Sequence, residues 1–324
     1  MSQDICVVAE HLKGRLADVT FELLGKGREL ADASGGTLVA VLLGQGVEGL
    51  AAELGAADKV LYVEHAALAE FNPEPYGRAL TEVVFSQSPR VVLIPNTSMG
   101  MDLASTVSVR GNLPLVAYAV DVKLTDGKLV AESQLYGGKM NVESEIEGTS
   151  AIVSVIAGAL PVEAGKKDGA PSVEKIAVSA DLSEDTLKVH FKTLIEPEAG
   201  DVDITAQDVL VSVGRGIGSD EHLPTVQALA DALGGALSCS RPIVDSKWLP
   251  KTRQVGKSGL KVKPKAYIAV GVSGAPEHIE GMKDAELIIA INTDAKAPIF
   301  DVAHYGVTSD LFDIVPPLTE KLKG

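Results

Sequence analysis

Cysteine is nearly absent from the 324 residues: Cys6 and Cys239 lie far apart, and neither belongs to a CxxC pair or a Cys/His cluster. That argues against a disulfide framework, a zinc site or an iron–sulfur cluster held by this chain alone, and no metal is expected. Long hydrophobic runs are missing too, none approaching the ~20 residues of a bilayer-crossing helix. Met1-Ser2-Gln3-Asp4 runs straight into an apolar segment, without the basic n-region and apolar stretch of a secretory signal. A cytoplasmic, reducing setting is expected. Positive charge is scarce: 29 Lys and Arg face 44 Asp and Glu, a formal net charge of −15. Such a chain repels phosphate backbones and anionic membrane surfaces, so nucleic acid is not expected as a partner. Catalytic signatures are lacking as well, with no GxSxG elbow, no HExxH and no Walker loop.

What is present is an ordinary globular balance, 46% hydrophobic and 23% charged, over a length that suits two domains. The first part alternates short Val/Leu/Ile runs with helical patterns. Residues 5–8, 38–43, 60–63 and 91–94 read as strands; a segment with Leu16, Val19, Leu23 and Leu30, residues 47–54 and residues 78–85 read as helices. This order predicts a doubly wound α/β domain with a mostly parallel sheet. From about 120 to 157 β-like runs dominate, and Asp126-Gly127 is a hairpin signal, so an antiparallel extension of the sheet is expected. Residues 161–172 read as an exposed loop or linker. The domains are placed at 1–200 and 201–324, after Glu196-Pro197-Glu198-Ala199-Gly200.

In the second domain a strand at 209–213 meets the glycine-rich turn Gly214-Arg215-Gly216-Ile217-Gly218-Ser219. Leu223, Val226, Leu229, Ala230 and Leu233 then mark one face of a helix that Gly234-Gly235 ends. Strands at 266–270 and 287–291 complete a small Rossmann-like parallel unit. The turn could bring backbone N–H groups and Arg215 to a phosphate, but taken alone it reads first as a packing device, and GxGxG is not the dinucleotide fingerprint. Three more small-residue loops follow within about 65 residues: Ser238-Cys239-Ser240-Arg241, Gln254-Val255-Gly256-Lys257-Ser258-Gly259, and Gly271-Val272-Ser273-Gly274-Ala275-Pro276-Glu277-His278. The last lies at a strand's carboxyl end, where open α/β sheets bind ligands.

In order and spacing these motifs resemble the FAD-binding domain of electron transfer flavoprotein α subunits. Residues 209–318 carry Gly214-Arg215-Gly216, Ser240-Arg241-Pro242-Ile243-Val244-Asp245 with Trp248 and Pro250, the 254–259 loop, residues 268–278, Ala290-Ile291-Asn292, and Ala297-Pro298-Ile299-Phe300 through Tyr305-Gly306, Asp310-Leu311 and Pro316. The N-terminal part resembles the family in Val8-Ala9-Glu10 and the segment 23–32. It departs where Met101 replaces a basic residue, and at Gln134-Leu135-Tyr136-Gly137-Gly138-Lys139. Both departures lie outside the FAD motifs and bear on partner choice.

The resemblance implies roles. Arg241 would lie over the isoalloxazine, its fixed charge stabilising reduced, anionic flavin. Ser258, in place of the family's Thr, would hydrogen-bond flavin N5, and Lys257 would point to solvent. His278 would stand near flavin O2 as an imidazolium. Arg215, Ser240 and the N–H groups of Ser273, Gly274 and Ala275 would hold the pyrophosphate and ribityl chain, with Gln254, Val255, Gly256, Pro276 and Glu277 completing the loops. Asn292, Asp310 and Leu311 would contact adenosine. The implied activity is that of a redox carrier rather than a stand-alone enzyme. It would pair with an electron transfer flavoprotein β subunit carrying AMP or a second FAD. Electrons would pass from flavin-dependent, acyl-CoA-type dehydrogenases of fatty acid β-oxidation to an acceptor such as a quinone oxidoreductase. Two alternatives stand beside it: the α component of an NADH- and ferredoxin-linked bifurcating flavoprotein, and a stand-alone NAD(P)-dependent dehydrogenase.

Overall fold

The computed structural model describes residues 2–136, 138–194 and 202–323. The chain divides into two compact units, residues 1–193 and 194–324. The boundary expected between residues 200 and 201, with Glu196-Pro197-Glu198-Ala199-Gly200 before it, lies outside the described residues, as does Gly137.

The first unit begins with β1 (Ile5–Val8), a short hairpin of β2 (His11–Leu12) and β3 (Arg15–Leu16), and α1 (Asp18–Ser34). Then follow β4 (Leu38–Gly44), β5 (Lys59–Glu64), α2 (Pro73–Gln87), β6 (Val91–Asn96), α3 (Ser98–Gly111), β7 (Leu115–Thr125), β8 (Lys128–Leu135), β9 (Met140–Ile146), β10 (Ala151–Ile156) and β11 (Ser172–Lys175). They form one nine-stranded sheet in the order β11-β5-β4-β1-β6-β10-β7-β8-β9. Strand side chains alternate between two cores. Ile5, Val7, Leu38 and Leu42 pack with Val19, Leu23 and Leu30 of α1. Cys6, Val8, Val39 and Val41 pack with Tyr76, Leu80 and Val83 of α2 and with Leu103 and Val107 of α3. A central parallel strand must therefore be apolar at every position, which is why these segments read as unbroken runs.

The antiparallel extension is the meander β7-β8-β9, whose first turn places Asp126 (φ 51°) and Gly127 (φ 77°) in the left-handed region. That is the twist a two-residue hairpin demands. β10 inserts between β6 and β7, parallel to both. Leu16 belongs to β3 and not to the first helix, and residues 47–54 form a tighter 3₁₀ turn, Glu48–Glu53. Residues 161–172 are largely the exposed loop expected, with one 3₁₀ turn at Val162–Ala164. Just before them the buried Glu22 carboxylate accepts from the Gly158 and Leu160 N–H groups, and Ser172 opens β11, which pairs with β5 at the sheet edge. Met101 sits exposed on α3, and Leu135 and Tyr136 are exposed at the end of β8.

The second unit contains β12 (Val209–Val213), α4 (Leu223–Ala232), β13 (Ala236–Cys239), α5 (Arg241–Asp245), β14 (Ala266–Val270), α6 (Pro276–Glu280), β15 (Leu287–Ile291), β16 (Tyr305–Val307) and α7 (Leu311–Lys323). Its sheet, β13-β12-β14-β15-β16, is parallel throughout. On one face Val211, Val213, Val270 and Ile291 meet Val226 and Leu229 of α4 and Leu311 and Val315 of α7. On the other, Leu210, Tyr267 and Ala269 meet Val255, Met282 and Ile299. Both units are thus α/β, as expected. Among the described residues no helix is long and apolar enough to cross a membrane.

Candidate functional site

In a doubly wound sheet the crevice lies where strand order reverses, outside the carboxyl ends. In the second unit that place is between β12 and β14, so the loops 214–219 and 271–275 meet there. They touch backbone to backbone. Gly216 N–H donates to Gly271 O at 3.0 Å, and a Cβ on Gly214 would come within 2.3 Å of that carbonyl oxygen. The amides of Gly214, Gly216, Ile217, Gly218 and Ser219 all donate to carbonyls of this unit. The glycine-rich turn is therefore chiefly a packing device, and of its amides only that of Arg215 lacks an acceptor among the described residues. Arg215 is exposed at its head.

The loop after β14 differs. Among the described residues the amides of Ser273, Gly274 and Ala275 donate to no acceptor, and Gly274 adopts φ 81° against the Ile299 backbone. Three successive N–H groups without acceptors at a strand's carboxyl end are the donors that an anion-binding concavity needs. Pro276 then opens α6 and Glu277, exposed, carries a charge that opposes an anion. The 254–258 loop is fastened alongside. Val255 N–H donates to Cys239 O (2.9 Å) and Lys257 N–H to Glu277 O (2.7 Å), with Gly256 at φ 136°. The buried Gln254 donates its Nε2 hydrogen to Ser258 Oγ at 2.9 Å, which leaves the Ser258 hydroxyl hydrogen to offer elsewhere. Lys257 is exposed. Ser240 follows β13, its N–H donating to Val213 O (3.0 Å), and Arg241 opens α5 with its side chain 68% exposed and Nε 3.4 Å from Asp245 Oδ2.

Three side chains expected at adenosine are used by the fold. Asn292 donates Nδ2–H to Val272 O (2.8 Å) and accepts from Asp294 N–H; Asp310 accepts from Phe312 N–H at the start of α7; Leu311 is buried in the core. A contact from these positions would fall to the backbone. Trp248 packs against that same core, whereas Tyr305 is exposed on β16.

His278, on α6, is only 6% exposed, and its Nε2 is 2.9 Å from the Tyr267 hydroxyl. Burial pushes its pKa down to about 4, the Val255 backbone acting weakly in the opposite direction. The imidazole is thus neutral at neutral pH, not the imidazolium expected, because desolvation outweighs any charge offered to it. Tyr267, Ser212 and Ser238 form a buried polar layer that sequence reasoning missed. Its signal was there: a serine in the middle of each of two apolar strands and a tyrosine in a third. Among the described residues no cluster could hold a metal ion. In the first unit the corresponding crevice, between β1 and β6, is filled by Glu10, His11 and Met99. The cavity left is about 10 Å³, room for one water.

Two family descriptions match the sequence. "Electron transfer flavoprotein domain" matches residues 5–181 and "Electron transfer flavoprotein FAD-binding domain" matches residues 203–283. The chain is 35% identical to "Acryloyl-CoA reductase electron transfer subunit beta" of Anaerotignum propionicum, over 99% of this chain and 96% of that protein. It is 36% identical to "Electron transfer flavoprotein subunit alpha" of Syntrophomonas wolfei, over 98% of each. To the protein of that name in Bacillus subtilis it is 33% identical, over 100% and 98%. Two relatives named as α subunits, matched end to end, and a profile covering more than half of the chain place it in the electron transfer flavoprotein family, on the α-subunit side.

Proposed function

We propose that the second unit binds FAD at the carboxyl edge of its sheet. Paired with a β subunit, the chain then passes electrons from an acyl-CoA-type flavin dehydrogenase to a downstream acceptor such as a quinone oxidoreductase. The observation that carries this reading is the run of three open amides, Ser273 to Ala275, at the strand-order reversal, inside a sequence similar to FAD-binding domains. A pyrophosphate is the anion such a concavity suits. Bound there, FAD supplies the one-electron redox chemistry. The residues bind and tune. Arg241 and Arg215 bring permanent positive charge to the rim of an otherwise acidic protein, Ser258 keeps a hydroxyl hydrogen to donate, and His278 offers a neutral imidazole. An acyl-CoA-type enzyme as redox partner is supported by the likeness to an acryloyl-CoA reductase electron transfer subunit. AMP or a second FAD would sit on the β subunit.

The test is to co-express the full chain with its β partner and measure released flavin after denaturation. One FAD assignable to this chain is expected, lost when Gly274 is replaced by Val. No flavin bound or taken up would overturn the reading. Two FAD per heterodimer together with bleaching by NADH would instead favour the bifurcating form.

A further inference from the structure

Beneath the candidate flavin site lies a hydrogen bond that the proposed function does not use. Tyr267 stands in β14, wholly buried among Leu210, Val255, Ala269 and Met282, and among the described residues its hydroxyl makes one well-formed hydrogen bond, with His278 Nε2 at 2.9 Å. The two rings are tilted by 58° with centroids 6.1 Å apart, so the contact is edge-directed and not a stack. Ser212 and Ser238 stand in register on the neighbouring strands, yet their hydroxyls have no partner, and neither does His278 Nδ1. A buried hydroxyl without a partner is costly, so a phenol at this depth implies a use for its hydrogen.

Only two proton arrangements are open. Burial holds the phenol above its usual range and the imidazole at about 4, so both are neutral. The titratable neighbour facing this layer, the Cys239 thiol, is pushed up to about 12 and is neutral as well. Arg253, which acts on that thiol, turns its guanidinium to Leu237 O. A neutral imidazole has one N–H and one lone pair. If Nε2 bore the hydrogen, the phenolic O–H would need another acceptor, and the two serine oxygens, though near enough to act on the phenol, form no hydrogen bond of ordinary geometry with it. If the phenol donates to Nε2, both groups are satisfied and the imidazole hydrogen goes to Nδ1. The Val255 backbone, which favours a proton on the ring, belongs to the 254–258 loop.

We propose that Tyr267 is a positioning residue: its hydroxyl donates to Nε2 and locks His278 as the Nδ1–H tautomer, so that the imidazole presents a donor toward the 254–258 loop. The destination of that donor, the flavin, rests on the function proposed above; the tautomer does not. A donor stabilises electron-rich flavin where a lone pair would repel it, so a neutral histidine suffices at this position.

The experiment has two arms. In the full chain with flavin removed, labelled with ¹⁵N-histidine and assigned by the loss of one signal in His278→Gln, His278 is expected as the Nδ1–H tautomer. Tyr267→Phe should convert it to a mixture or to Nε2–H. A wild-type Nε2–H tautomer, or a Tyr267→Phe spectrum identical to wild type, would overturn the proposal. In the FAD-loaded heterodimer, Tyr267→Phe should lower the flavin potential in the wild-type background and leave it unchanged in the His278→Gln background, the signature of one residue acting through another. A shift of equal size in both backgrounds would also overturn it. If His278→Gln itself leaves the potential unmoved while the tautomer result holds, it is the flavin placement that fails, and not the role of Tyr267.

Discussion

His278 and Arg241 occupy opposite ends of the burial scale, and they should respond to different perturbations. The imidazole is buried and its pKa falls from 6.5 to about 4 on folding. The unfolded chain therefore takes up the proton first, so the stability linked to this group is complete above about pH 6.5 and is lost as pH falls toward 4. At about 1.4 kcal/mol per pH unit the full window is worth about 3 kcal/mol. Denaturant unfolding of the second unit at pH 7.5 and pH 5 should show about 2 kcal/mol of that loss, and His278→Gln should flatten it; equal pH dependence in both proteins would refute the assignment. Arg241, by contrast, is 68% exposed, and water screens its charge. Arg241→Ala should lower the flavin potential by about one decade of equilibrium or less, 59 mV per decade for one electron, as read by redox titration.

Elements were legible where one face is apolar at a regular period. β12, β14 and β15 begin and end where their Val/Ile runs do, and α4 follows its Leu and Val spacing. α3 escaped because its buried face is built of Gly100, Leu103, Ala104 and Val107, two of them small, with serines and a threonine between. The spacing i, i+3, i+4, i+7 was present, but the residues carry little hydrophobic contrast. Its start is marked by Thr97, whose Oγ1 accepts from Gly100 N–H at 3.0 Å and donates to Glu10 Oε2 at 2.5 Å. Thr97→Ala should destabilise the first unit by about 1 kcal/mol or more, since it removes a helix cap and strands a carboxyl group raised by burial. Thr97→Ser should recover most of that in urea unfolding. The site was legible as a set of loops, because sequence order and strand ends fixed which loops share an edge. Its chemistry was less so. Whether an amide is open or engaged, and whether an imidazole is charged, depends on neighbours far away in sequence.

At the scale of the whole molecule, two compact units with separate cores need not unfold together. A ligand that binds one of them raises only that unit's stability, by about 2.7 kcal/mol at a hundredfold excess over its Kd. Calorimetry with added FAD should therefore move the transition of the second unit and leave that of the first in place. A uniform shift of both would contradict a site confined to residues 203–323. The rim of the second unit has a further consequence. Gly216 is bonded to Gly271, Ile299 to Ser273, Lys257 to Glu277, and Asn292 to Val272, so successive loops are knotted main chain to main chain or through one amide. Such a rim takes new side chains easily but not new lengths. In a mutational scan, single-residue substitutions at exposed positions such as Arg215, Lys257 and Glu277 should leave folding intact, whereas one-residue insertions at the same positions should abolish it. Variation in this protein would then proceed by repainting the rim and not by lengthening it.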